Sequence, residues 1–343
     1  MRANALTAGG PAKLVEGAAK PSIITSTNPP PRGTGGAISN PRRLPMLRRT
    51  VLAIVLLTGF ASALPVLPAT AQEGTAPMLT ATTSGYVPVT GGKVYYATYG
   101  EGAPLVLLHG GLMTIDAFGP VLSGLAASHQ VIAVEAQGHG HTGPLDRPMS
   151  FDNMAADVAE VIKSLGLEKV DVVGYSMGGT IGLRLALAHP ELVDKLVIAS
   201  APFAFSGWHD YNQQGMRGLN ASQFEMMKPS PLYQGFAAVN PDPEVNFPKL
   251  LDQMQYMGKD YDFSADVPNL KVPTQLVYGD WDAVRTSHAA KFFELLGGGL
   301  QDALWDGSGM NQNRLAILPD VTHYTMMNSP KLVEVALAFI DAK

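Results

Sequence analysis

The run "VDVVGYSMGGTIGLRLALAHP", Val170 to Pro190, constrains the fold more than any other stretch of this 343-residue chain. Val170 to Val173 is apolar and β-branched, as a short buried strand is, while Ile181, Leu183, Leu185 and Ala186 follow helical spacing up to His189-Pro190. A strand therefore turns into a helix across Gly174, Ser176, Gly178 and Gly179. Glycines remove the β-carbons that would collide where the backbone folds back, and they tolerate positive φ. Such a corner thrusts the Ser176 hydroxyl outward at a helix N-terminus, where unpaired amides and the helix dipole favour a developing negative charge. Two readings fit: a serine presented for attack, or a glycine-rich turn that cradles phosphate or simply connects two elements.

The rest of the chain from about residue 80 alternates in the same way. Tyr86 to Thr90 and Lys93 to Thr98, joined by Gly91-Gly92, read as a hairpin. Apolar strands follow at Pro104 to Leu108, Val131 to Glu135, Val170 to Tyr175, Leu196 to Ala199, Gln275 to Tyr278 and Arg314 to Leu318. Helical segments fall between and after them, near Thr114 to Ser128, Asn153 to Leu165, Met177 to His189, Ser287 to Leu296 and Lys331 to Ala342. An antiparallel start followed by strand-helix alternation predicts an α/β fold, a mostly parallel central sheet with helices on both faces. Functional residues then belong on loops at the carboxyl ends of the strands.

Three further loops stand at such ends. "LVLLHGGLMT" closes a strand with His109-Gly110-Gly111, "LVYGDWDAV" with Asp280 and Asp282, and "RLAILPDVTHYTMM" with His323. Together with the G-x-S-x-G pattern Gly174-Tyr175-Ser176-Met177-Gly178, in the chain order Ser, Asp, His, they make Thr80 to Lys343 resemble the α/β-hydrolase family. The likeness is to its small bacterial esterases, enol-lactonases, cofactor-free haloperoxidases and carbon-carbon bond hydrolases. It implies Ser176 as nucleophile, His323 as general base and Asp282 as the acid that orients the base, because the family acid stands two residues after the "GD" step. Asp280 then serves the turn. It also implies an oxyanion hole from the backbone amides of Met177 and Gly111, and no cofactor. The chemistry needs this cast: a serine hydroxyl is a poor nucleophile until an imidazole takes its proton, and a buried carboxylate fixes the ring tautomer.

The loop "VEAQGHGHTG", Val134 to Gly143, resembles the family's D-x-R-G-x-G-x-S turn with Glu135, Gln137 and Thr142 in place of Asp, Arg and Ser. Glu135, His139 and His141 also suggest a metal site, but their spacing fits no zinc signature, and no metal is expected. His109 is read as shaping its loop. His129, His189, His209 and His288 fall in helical or cap regions and receive no role.

Composition narrows the partners. A net charge of -5, without a run of lysines or arginines, gives no attraction to nucleic acid, and the absence of cysteine excludes disulfides and thiolate chemistry. "MLRRTVLAIVLLTGFASALPVLPATAQ" carries two arginines, an apolar core from Val51 to about Leu67 and a small-x-small site at Ala69-Thr70-Ala71, which describe a secretory signal peptide over 46–71. Its apolar stretch is short for a span, so no stable membrane anchor is expected, and the mature chain is expected in the periplasm or outside the cell. Residues 1–45, rich in Pro, Gly, Ser and Thr, read as a disordered leader or as upstream of the true start at Met46.

The domain then runs over 72–343 with a small helical cap at about 201–269, whose methionines and aromatics suit an apolar acyl or aryl group. A second insertion, Gly297 to Arg314, reads as an exposed elaboration. The function expected is hydrolysis of an ester or lactone of a small, largely apolar molecule through an acyl-enzyme. Alternatives are a carbon-carbon hydrolase, an amidase or a cofactor-free perhydrolase with the same triad, and, in another class, a ligand-binding protein with vestigial catalysis.

Overall fold

The computed structural model describes residues 79–255 and 259–342. The leader and signal-peptide readings lie outside these residues. Eight strands form one sheet in the order β1-β2-β4-β3-β5-β6-β7-β8. They are β1 (Thr83–Val89), β2 (Gly92–Tyr99), β3 (Ala103–Leu108), β4 (His129–Val134), β5 (Val170–Tyr175), β6 (Val193–Ala199), β7 (Thr274–Trp281) and β8 (Arg314–Thr322). β1 and β2 form the hairpin, β2 pairs antiparallel with β4, and every pair from β4 to β8 is parallel. The mostly parallel sheet predicted from the alternation is therefore the sheet found.

Period-two alternation divides the core. Leu105, Leu107, Val131 and Ala133 face one side, packing with α1 (Gly119–Ala126) and α10 (Pro330–Ile340). Val106, Leu108, Ile132 and Val172 face the other, packing with α2 (Phe151–Ser164), α3 (Met177–Ala188) and α8 (Thr286–Leu295). The helix read over Thr114 to Ser128 is two pieces, a 3₁₀ turn over Ile115–Phe118 and then α1. Gly119, at φ 38, breaks it just before Pro120.

The segment between β6 and β7 is a helical cap, with α4 (Asp210–Gly218), α5 (Phe224–Met227), α6 (Pro231–Val239) and α7 (Pro243–Gln253). It is stitched to the loop after β7. The Trp208 backbone bridges Val284, the His209 amide donates to the Ala283 carbonyl at 3.0 Å, and the Arg285 amide donates to the Gly207 carbonyl at 2.9 Å. The second insertion precedes β8, with Asn313 Oδ1 taking the Thr274 amide at 2.9 Å at the start of β7. It therefore lies at the strand-start end, opposite the loops that carry the candidate site.

Candidate active site

The corner after β5 is as tight as its glycines require. A β-carbon on Gly174 would meet the Gly178 carbonyl oxygen at 2.3 Å, and one on Gly178 would meet the Leu108 carbonyl oxygen at 2.2 Å. Ser176 itself has φ 53 and ψ -118, a strained conformation for a residue with a side chain. The strain is held by neighbours: its amide donates to the Ala199 carbonyl at 2.8 Å, and its carbonyl accepts the amides of Gly179 and Thr180. The hydroxyl is not left open at the surface, because the residue is only 8% exposed.

Three strand ends bring the triad together. His323 Nε2 lies 3.2 Å from Ser176 Oγ, and His323 Nδ1 lies 2.9 Å from Asp282 Oδ1. Asp282 can only accept while ionised, so Nδ1 carries the ring proton and Nε2 is left to accept from the serine. Burial by itself would push the Asp282 carboxyl up. The hydrogen bond and charge of His323, the Ser200 hydroxyl and the Gly279 amide outweigh that and hold it below the usual carboxylate value. Ser200 Oγ donates to Oδ2 at 2.5 Å, Gly279 N to Oδ2 at 3.1 Å and Val284 N to Oδ1 at 3.2 Å. Asp280 is exposed and accepts the Val321 amide at 3.3 Å, which is a turn role.

His323 opens α9 (His323–Met326), whose N-cap Thr322 exchanges bonds with Thr325 in a capping box. The Tyr175 hydroxyl donates to the His323 carbonyl at 2.7 Å, so the residue before the nucleophile fixes the backbone of the base. Trp208 sets its ring edge-on to His323, with centroids 5.3 Å apart, and donates from Nε1 to the Tyr261 hydroxyl at 3.1 Å. Sequence reasoning missed Ser200, Trp208 and this role for Tyr175. Only Tyr175 had a local signal, as the variable position inside the elbow motif.

The turn expected to supply an oxyanion donor, Gly110 to Met113, is closed by the Met113 amide on the Gly110 carbonyl at 3.4 Å. Among the described residues no acceptor takes the Gly111 amide. Met177 is the first residue of α3, where an amide has no carbonyl in a preceding turn.

The departures in the loop after β4 are compensated. The Glu135 carboxylate takes the His141 amide at 2.5 Å, His141 Nδ1 at 3.0 Å and the Ile115 amide at 3.4 Å. The His141 imidazole is raised above its ordinary value, chiefly by that bond to Glu135. Thr142 Oγ1 accepts the Tyr95 amide and donates to the Glu135 carbonyl. Gln137 exchanges bonds with Arg147, which pairs with Asp157. His139 has both ring nitrogens committed to backbone, Nδ1 to the Gln137 carbonyl and Nε2 to the Leu112 amide.

Comparison with known proteins agrees with this geometry. Residues 103–228 match the α/β hydrolase fold family. Over these residues the chain is similar to α/β-hydrolases. It is 39% identical over 107 residues to a putative carbamate hydrolase RutD of Azorhizobium caulinodans, an alignment spanning 31% of this chain and 40% of that protein. Matches to the first curated relatives thus cover less than half of those proteins' length. A longer match, 26% identical over 280 residues, covers 75% of this chain and 91% of a 2-hydroxy-6-oxo-6-(2'-aminophenyl)hexa-2,4-dienoic acid hydrolase of Metapseudomonas resinovorans. The crystal structure of a serine hydrolase involved in carbazole degradation superposes with a TM-score of 0.58 over 76% of this chain and 99% of that one, at 24% identity, a likeness of fold. Among the described residues no helix is long and apolar enough to cross a membrane.

Proposed function

We propose that this protein is a serine hydrolase that cleaves an ester or lactone bond of a small, largely apolar molecule through an acyl-enzyme. One observation carries the reading: Ser176 Oγ, His323 and the buried Asp282 form a continuous hydrogen-bonded chain. Ser176 Oγ attacks the carbonyl carbon as His323 Nε2 takes its proton. The Met177 and Gly111 amides receive the oxyanion, and His323 returns the proton to the leaving oxygen. Water then repeats the sequence on the acyl-enzyme.

A small substrate is supported by a cavity of about 290 Å³ between α6 and the turn after β3, walled by the apolar Met113, Ala117, Leu232 and Met327 and by the polar Thr114, Asp116 and Asn328. Met113 closes the Gly110 turn, and Met327 follows the helix that His323 begins, so two of its walls are chain neighbours of the candidate site. The long match to the dienoic acid hydrolase favours one alternative, carbon-carbon bond hydrolysis, because that relative's named substrate carries a ketone and a carboxylic acid but no ester. A panel of p-nitrophenyl esters of rising acyl length, lactones, amides and a vinylogous diketone, offered to protein lacking residues 1–71, separates the two. We expect turnover of short and medium esters or of lactones; turnover of the diketone alone would replace the ester reading. We also read 46–71 as an export signal removed before Gln72, which amino-terminal sequencing of the native protein tests.

A further inference from the structure

The turn after β3 and the loop after β4 meet, and two histidines bind them reciprocally. His109, on the turn after β3, accepts the Ala136 amide of the other loop at Nε2, 3.1 Å away. His139, on the loop after β4, accepts the Leu112 amide of the turn at Nε2, 3.0 Å away. Each ring spends its Nδ1 proton on a nearby carbonyl, Gly110 at 2.7 Å for His109 and Gln137 at 2.9 Å for His139. Their centroids are 5.0 Å apart, and the two residues are 2% and 0% exposed. An imidazole that receives an amide proton must be neutral at that nitrogen, so both rings hold one defined tautomer.

What this bonding restrains is strained. Leu112 is the third residue of the Gly110 to Met113 turn and has φ 62, where glycine or asparagine is usual. A leucine there is strained and persists only if its surroundings over-determine it. Rotating the Gly111–Leu112 peptide would relieve the strain, and that rotation turns the Leu112 amide away from its acceptor. The neighbouring amide is that of Gly111.

We propose that His139 is a positioning residue of the oxyanion-binding turn. Its Nε2 is the acceptor that locks the Leu112 peptide and so holds the Gly111 amide where it receives the substrate oxygen. The role rests on the serine-hydrolase reading given above. It predicts that what matters at position 139 is an acceptor, not an aromatic ring or a charge. His139→Gln places an amide oxygen near the position of Nε2. His139→Met fills a similar volume without a comparable acceptor.

The test is the rate at which a fluorophosphonate probe labels Ser176, which requires no knowledge of the natural substrate. Deleting one oxyanion donor typically lowers kcat by about 10²–10³-fold. Loosening one should slow labelling of His139→Met by about 10–100-fold, with His139→Gln within about threefold of wild type. With any ester that is turned over, kcat should fall in His139→Met while KM moves by less than about twofold. Labelling of a folded His139→Met at the wild-type rate would overturn the lock, as would equal slowing of both variants. Should His139→Met fail to fold, hydrogen exchange at the Leu112 amide of wild type reads the bond directly. Slow exchange is expected, and exchange at the rate of an exposed loop overturns the lock. A wild type that the probe never labels would instead overturn the hydrolase reading, while Leu112 exchange still decides whether the bond exists.

Discussion

On the acid side of Ser176, the Asp282 carboxylate gathers donors from His323, Ser200, Gly279 and Val284. On the oxyanion side, two buried imidazoles each accept a backbone amide and hold no charge. Both sides include a residue with a side chain at positive φ, Ser200 at 54 and Leu112 at 62. The supports differ in kind. The acid side must keep a negative charge in a buried place, so it supplies hydrogen-bond donors; the oxyanion side must keep a peptide from rotating, so it supplies neutral acceptors. The first fails when its charge is removed, the second when its acceptors gain protons.

The largest expected effect breaks the acid side alone. Asp282→Asn keeps the shape but removes the charge and favours the wrong imidazole tautomer, with a loss of kcat that could approach about 10⁴-fold. Asp280→Asn, the same chemical change two residues away on an exposed turn, should stay within a few-fold. Ser200→Ala removes one of the donors to Asp282 and should fall between them. Steady-state kinetics on the folded variants decides. A crippled Asp280→Asn beside an active Asp282→Asn would shift the acid by two positions.

The smaller effect separates the two sides by pH. Burial, with the nearby His109 adding to it, lowers the His139 imidazole from 6.5 to about 3. The unfolded chain binds a proton there between these values and the folded chain does not, so His139 withdraws stability as pH falls through that window, at most about 1.4 kcal/mol per pH unit. Asp282, held below the ordinary carboxylate value, acts in the same direction but in a lower window: its stabilisation is complete above that value and is lost only as pH falls through its own lower one. Between pH 7 and 5 the unfolding midpoint should therefore drop less in His139→Gln than in wild type. Equal drops would remove His139 from the acid response.

These two sides also show what a sequence reveals. Ser176, Asp282 and His323 were legible because each ends a strand in a recognisable pattern, and the glycines of the elbow announce a close backbone approach. Ser200 and His139 were not. Ser200 matters because β6 lies beside β7, so that the residue after one strand meets the acid after the next. His139 matters through an amide 27 residues away on a turn whose positive φ falls on leucine, and leucine gives no warning of it. Trp208 reaches His323 only because the start of the cap is bonded along the loop after Asp282. The break at Gly119 was hidden for the same reason, since helical spacing of apolar residues runs straight through it.

The nucleophile carries all of this, and the acyl-enzyme tests it most directly. Protein quenched in acid during turnover of p-nitrophenyl acetate, then digested and weighed, should carry one acetyl group on the peptide that contains Ser176. Ser176→Ala should fold, carry none and lose turnover by about 10⁶-fold. An acyl group on another residue, or a Ser176→Ala variant that turns over ester near the wild-type rate, would contradict it.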